Sequence, residues 1–320
     1  MKLFKKVKYP NGRRHIYLFG IKIFSYQKQT TKTIITNNII ENKEYIKYCS
    51  SETLHKLLCD TFYKNNGIYP NEQLTTLNHK IQHMMMFDVT PLRTMVADKY
   101  TVRNYVKNKI GSDYLIPLLQ HWDSINDVSF EKLPNKFVLK YSEGSAKVLM
   151  VPNKEKLDLN YVKNKIRYWI YDEYWTHFME MQYYNSVKKI IVEEMIDTKI
   201  EYKLWCFNGI VKFIKIEIMD GFSENGKTEH QYGKYFYPDW TPADFKTIGD
   251  EPPYEIKRSQ KLKLLIKLAE KLASEFKFVR VDFFETNSGE LKFGEMTLSP
   301  AAGNVHFIPE SKNTEFGSWL

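Results

Sequence analysis

The stretch Phe278 to Glu295, FVRVDFFETNSGELKFGE, constrains the chain most. Strand alternation puts Phe278, Arg280, Asp282 and Phe284 on one side and Val279, Val281 and Phe283 on the other. Thr286-Asn287-Ser288-Gly289 separates this run from a second β-rich run and reads as a turn. In the return arm Leu291, Phe293, Glu295 and Thr297 are expected to share a face. Folding about the turn brings Asp282 within about one residue of register of Glu295. Like charges across a strand pair repel unless a cation lies between them. A divalent metal on hard oxygen ligands is one solution. Arg280, on the same face as Asp282, offers another, a plain ion-pair cluster, and spacing alone leaves both open.

The rest of the chain is that of an ordinary globular protein of 320 residues, long enough for one large domain or several lobes. Its formal charge of +9 suits anionic partners without choosing among nucleotides, acidic glycans and a membrane surface. A nucleic-acid partner is not expected, because no basic, aromatic-bearing recognition module is visible. Cys49, Cys59 and Cys206 are unevenly spaced and lack a CxxC pair, which argues against a disulfide framework or thiolate zinc site and fits a reducing compartment. No apolar run is long enough to span a membrane, and the basic start lacks a signal-peptide core, so a cytoplasmic location is expected.

Four segments are expected: a small β element and polar linker at 1–45, a helical region at 46–130, a β-rich small lobe at 131–196 and a larger lobe at 197–320. In the first, Tyr17 to Phe24 reads as a strand, Pro10-Asn11-Gly12 as a turn and 28–45 as a linker. Helices are expected from Ser50, over Leu77–Phe87, and from near Ala97 to a cap at Gly111. Lys136–Lys140 and Lys147–Val151 read as paired strands, and 158–184 as an aromatic helix. Strands then follow at Lys189–Met195, Glu201–Phe207 and Val211–Ile218, the last two joined at Asn208-Gly209. A polar loop over Asp220–Gln231 and a long amphipathic helix over Tyr254–Phe276 precede the hairpin. The class implied is α+β, with helices on mainly antiparallel sheets.

Two further places can carry chemistry. Lys140 ends a strand before the small-residue loop Ser142 to Ser145, an arrangement that can hold phosphates, although taken alone a solvent-facing lysine beside a hairpin explains it better. The run Ile190–Ile196 is an apolar strand ending in acids, with Glu201 just beyond; it suits a nucleotide edge or a buried strand emerging into solvent. No Walker or Rossmann glycine motif is present.

The order of these parts resembles the ATP-grasp fold, and in particular the D-alanine–D-alanine ligase pattern. ADKYTVRNYVKNKIGSDYLIPLL, PNKFVLKYSEGS, EYKLWCFNGIVKFI and FVRVDFFETNSGELKFGEMTLSPAAG resemble the TupA-like (teichuronopeptide-biosynthesis) ATP-grasp family over roughly residues 50–320. The resemblance implies two lobes clasping ATP with Mg²⁺. By it, Lys99 and Lys140 would contact phosphates, Ser142, Gly144 and Ser145 would close over them, and Lys147 would assist. Glu193 and Met195 would border adenine, Glu201 would bind ribose, and Asp282, Glu295 and Thr297 would ligate Mg²⁺. Arg280, with Lys140, would be catalytic, stabilising an acyl phosphate. The sequence departs from the pattern at Thr297, where the ligases carry Asn, and at Glu143–Lys147, where a His-Gly-Ser-Gly-Gly run is expected. The implied function is ATP-dependent ligation of an amine to a carboxylate of a bacterial surface polysaccharide or precursor, with peripheral contact with a membrane or lipid-linked glycan. The alternatives are a glycosyltransferase, against which the lack of Asp-x-Asp counts, and a non-catalytic nucleotide-binding module.

Overall fold

The computed structural model describes residues 4–8, 13–18, 21–27, 46, 48–222 and 228–320. The expected turn at 10–12 and linker at 28–45 lie outside the described residues. The chain divides into two compact units, Met1–Glu72 with Trp175–Met179, and Gln73–Tyr174 with Glu180–Leu320.

In the first unit, β1 (Phe4–Lys8), β2 (Arg13–Leu18) and β3 (Ile21–Gln27) form an antiparallel sheet. The single strand expected over 17–24 is therefore parts of two paired strands; Gly20, a strand breaker, was the available signal. Helix α1 (Ser51–Asn66) starts where the Ser50 hydroxyl accepts from Thr53 N at 3.1 Å and ends at Gly67, whose φ of +82° favours glycine.

The second unit holds the candidate chemistry. Helices α2 (Leu77–Phe87), α3 (Pro91–Ala97) and α4 (Val102–Ile110) come first. The helix expected from near Ala97 instead begins at Val102, because Asp98 turns the chain by accepting from Tyr100 N and Thr101 N. A four-stranded sheet follows, ordered β4 (Leu118–Trp122), β7 (Ile190–Glu194), β5 (Phe137–Tyr141), β6 (Val148–Val151). Alternation sends Phe137, Leu139, Ile190 and Val192 into a core against helix α5 (Leu159–Tyr171). Lys140 and Glu193 consequently point from the opposite face. The expected helix over 158–184 ends at Tyr171, and short 3-10 turns carry the aromatic residues beyond it.

The larger sheet is antiparallel, in the order β10 (Thr228–Phe236), β9 (Ile210–Phe222), β8 (Thr198–Phe207), β12 (Phe278–Thr286), β13 (Leu291–Thr297). Asn208 and Gly209, at φ of +48° and +80°, make the expected tight turn. Most of the segment expected as a polar loop over Asp220–Gln231 instead lies in β9 and β10, whose polar residues pair as an edge ribbon. One face of the sheet packs on α6 (Leu262–Ala273) and α4 through Leu204, Ile214, Ile216, Val279, Val281 and Phe283. Helix α6 is shorter than the expected 254–276. On the other face Trp205, Phe207, Phe213 and Phe278 form an aromatic core with Phe245, Phe307 and Phe316, sealed by β11 (Lys246–Thr247), β14 (Phe307–Ile308) and α7 (Ser311–Gly317).

The first arm of the carboxylate hairpin alternates as expected. The second does not: register slips between Val281 and Phe283, so Phe293 and Met296 both join the core. This β-bulge separates Phe293 from Glu295 and Thr297, which share a side with Arg280 instead.

Candidate functional site

Arg280 holds the centre of the charged face. Its Nε donates to Asp282 Oδ1 at 2.8 Å, and Nη2 donates to Asp282 Oδ2 at 2.6 Å and to Glu295 Oε1 at 3.0 Å. Nη2 also lies 3.0 Å from the Thr297 hydroxyl, which itself donates to Glu295 Oε1 at 2.8 Å. The side chains thus form the ion-pair cluster that spacing had left open. Asp282 is fully buried, and a buried carboxylate demands such a partner. Desolvation pushes the Glu295 carboxyl up, but Arg280 and then Lys99 outweigh it and hold it down to about 2.

Among the described residues, no three acidic, histidine or cysteine side chains converge as a metal cage. Mg²⁺ commonly sits on one or two carboxylates with water and substrate phosphates completing the shell. Glu295, a part-exposed hard-oxygen donor, fits that role. Asp282 accepts from the guanidinium, and Thr297 donates its hydroxyl proton to Glu295.

Next to the hairpin on β8, Glu201 pairs with Lys203 at 3.2 Å, and Lys203 reaches Glu217 on β9 at 2.8 Å. Glu217 also takes Lys215 at 2.5 Å. Burial, opposed by Lys203 but reinforced by Asp282, pushes the Glu201 carboxyl up to about 7. Burial acts the same way on Glu217, yet Lys203 and Lys215 together hold it down to about 2. Lys203, Lys215 and Glu217 were missed from sequence. Their signal was an opposite-charge pair two residues apart in each arm of one hairpin, Glu201-x-Lys203 and Lys215-x-Glu217.

On the four-stranded sheet, Lys140 Nζ donates to Glu193 Oε2 at 2.6 Å, and Arg103 Nη1 donates to Glu193 Oε1 at 2.7 Å. Arg103 also holds the Ile116 carbonyl at 2.8 Å, fixing the strand end that carries Glu193 and the half-buried Met195. Arg103 gave no sequence signal, since its partner is 90 residues away. The Lys99 ammonium donates to the Gly144 carbonyl. Desolvation lowers its pKa, against the pull of Glu295, and Lys140 adds like-charge repulsion. Lys99 is therefore within electrostatic reach of both Lys140 and Glu295.

The loop after Lys140 is built differently from its sequence reading. The buried Ser142 hydroxyl donates to Asp98 Oδ2 at 2.7 Å and accepts from Lys189 N at 2.9 Å, pinning the loop to two neighbouring segments. Gly144 has φ +81°, and a Cβ there would fall 2.6 Å from Tyr174 Cγ. Ser145 and Ala146 form the exposed tip. Lys147, expected to assist with phosphates, is turned inward: it lies 3.2 Å from Glu143 and donates to the Trp169 and Asp172 carbonyls at 3.0 and 2.9 Å. It caps the C-terminus of α5, where a cation meets the negative end of the helix dipole. That is a correction to its expected role: an ammonium with three internal partners is not presented to a ligand.

A small sheet bearing a lysine before a loop, facing a larger antiparallel sheet bearing an Arg–Asp–Glu cluster, is the ATP-grasp fold. The family model described as "TupA-like ATPgrasp" matches residues 79–320, and the chain belongs to that family. No curated protein matches the chain. Among solved structures, D-alanyl-alanine synthetase A from Vibrio cholerae O1 biovar eltor is 15% identical, with 70% of this chain and 63% of that one covered and a TM-score of 0.43. The ATP-grasp ligase PsnB, with a phosphomimetic variant of its minimal precursor, Mg and ADP, is 8% identical, with 91% and 75% covered and a TM-score of 0.42. N5-carboxyaminoimidazole synthetase from Staphylococcus aureus, complexed with ADP, is 13% identical with a TM-score of 0.36; 64% of this chain is covered, spanning 45% of that protein. No helix among the described residues is long and apolar enough to cross a membrane.

Proposed function

We propose that the protein is an ATP-dependent carboxylate–amine ligase. The observation that carries this reading is the placing of Lys99 within electrostatic reach of both Lys140 and Glu295, which Arg280 holds in turn. ATP phosphates fit the lysine side, with the Glu193–Met195 strand end bordering adenine and Glu201 towards the ribose. Lys99 and Lys140 neutralise the phosphate charge, and the Ser142–Ser145 loop covers it. Glu295 would hold Mg²⁺, which when bound screens the charge of the transferring phosphoryl group.

The substrate carboxylate oxygen attacks the γ-phosphorus, the bond to the ADP oxygen breaks, and an acyl phosphate forms. The amine nitrogen then attacks the acyl carbon, inorganic phosphate leaves and the nitrogen loses a proton, giving an amide. Arg280 is placed to steady the oxygens that gain charge in both steps. Asp282 is a positioning residue: its two bonds to Nε and Nη2 fix the guanidinium plane. For the substrate we infer a carboxylate of a bacterial surface polysaccharide or its precursor and a small amine or amino acid, as the family resemblance implies.

The test is ADP release from ATP and Mg²⁺ with candidate acids and hydroxylamine as the amine. Acid-dependent release that Arg280→Met abolishes is expected. Release of a nucleoside diphosphate from a nucleotide sugar without ATP would favour a transferase, and nucleotide binding without turnover a non-catalytic module.

A further inference from the structure

Beside Arg280 the larger sheet opens into a cleft of about 260 Å³ that the reaction above does not use in full. Its floor carries side chains of three strands: Lys203 on β8 and Lys215 on β9, which are register partners, and Arg280 on β12, which pairs with Trp205 two residues along. Two strand spacings across the sheet and two residues along it, roughly 12 Å, separate the Arg280 end from the Lys215 end. The volume lies below the roughly 300–1,000 Å³ of drug-sized ligand sites, so it takes one monomer-sized group rather than a polymer.

The charges are unequal along this floor. Arg280 is answered by Asp282 and Glu295. At the far end two ammonium groups share Glu217. Glu201, 3.2 Å from Lys203, and Asp282 do not line the cleft. That end of the lining therefore presents two ammonium groups against one carboxylate.

The opposite wall is strained. Ala301 and Ala302 adopt φ of +49° and +51°, a region L-residues rarely occupy. The turn is held from behind by Gln82 Nε2, which donates to the Gly303 carbonyl at 2.9 Å. Backbone strain of this kind concentrates at ligand clamps, and here it brings Pro300 and Ala301 to the cleft as an apolar wall.

Building on the ligase reading, we propose that the acyl substrate carries two acid groups: a carboxylate that reacts at Arg280 and a second, non-reacting acid group bound by Lys215 and Lys203. Lys215 is then a specificity-determining residue. A dianionic organic acid is preferred over the matching monoanion, and the preference comes from the far end of the cleft.

Calorimetric titration of the full chain, saturated with ADP and Mg²⁺, tests this with two matched pairs of probes: glutarate against butyrate, and D-glucuronate 1-phosphate against D-glucuronate. The member of at least one pair that carries the second acid group should bind about tenfold more tightly than its partner, or more. Lys215→Met should remove that preference while changing monoanion affinity less than about twofold, and Lys215→Arg should restore it. Lys215→Arg also serves if Lys215→Met does not fold. Equal binding of both members of each pair, an equal loss for both in Lys215→Met, or no binding of any probe would overturn the proposal. Dianion selectivity without acid-dependent ADP release would overturn the ligase reading and leave the subsite standing.

Discussion

Replacing Lys147 with Met separates the two roles this lysine was open to. Its side chain and that of Glu143 are 2% and 0% exposed, so the pair has almost no solvent to fall back on. Removing one partner of a buried pair typically costs about 3–5 kcal/mol, because the other charge is stranded. The Trp169 and Asp172 carbonyls lose their donor as well, at about 1 kcal/mol each if they stay dry. At about 2–4 °C per kcal/mol, the melting temperature should fall by on the order of 10 °C. Burial already raises the Glu143 pKa, and losing Lys147 raises it further. The folded protein then holds a proton that the unfolded chain releases above its ordinary carboxyl value, so stability falls as pH rises. The loss should therefore be larger at pH 8 than at pH 5. The double variant Glu143→Met/Lys147→Met removes both charges and should recover at least about 2 kcal/mol. Thermal unfolding gives these values, and ATP titration of the double variant completes the test, with affinity expected within about threefold of the parent. The reasoning fails if Lys147→Met leaves melting unchanged while both variants lose about tenfold or more in ATP affinity.

Other perturbations follow from the same geometry. Glu201→Gln removes a carboxyl whose folded pKa is raised, a contribution that costs stability progressively from about pH 4.5 to pH 7. The variant should gain up to about 3 kcal/mol at pH 8 relative to its gain at pH 4, read by denaturant titration; an identical pH profile would sink this. Gly144→Ala combines a positive φ with a Cβ 2.6 Å from Tyr174 Cγ, so a loss of about 1–2 kcal/mol from the backbone alone is expected, with weaker ATP binding. Arg103→Gln leaves Glu193 with Lys140 alone; it should lose about 1–3 kcal/mol in thermal unfolding and raise the KM for ATP more than that for the acid. Asp282→Asn frees the guanidinium plane and should lower kcat by about a hundredfold or more with little change in ATP affinity; an unchanged kcat in steady-state assay would refute the positioning role.

The sequence carried the local signals well. Val279, Val281 and Phe283 alternate into the core as read, and Asn208-Gly209 is the hairpin turn. The pairing of Asp282 with Glu295 through a cation was visible in the spacing, although Arg280 is the cation that the structure supplies. What was missed depends on distance along the chain or on broken alternation. The bulge opposite Asp282 leaves no mark in a periodicity count, so Phe293 was placed with Glu295 when it packs on Phe283. Lys147 reads from sequence as a phosphate-side lysine at a strand start, because its partner at the end of α5 lies 22 residues on. Strand β10 is polar enough to read as a loop, because it is an edge strand that pairs on one side with β9.

The central claim is that a substrate carboxylate takes the γ-phosphoryl group of ATP beside Arg280. Isotope transfer tests it most directly. Carboxylate-¹⁸O acids from the two probe pairs are incubated with ATP, Mg²⁺ and hydroxylamine, and the released phosphate is analysed by mass. The account predicts one ¹⁸O in each phosphate formed and none with Arg280→Met. ATP consumption that leaves all the label in the carboxylate would contradict it.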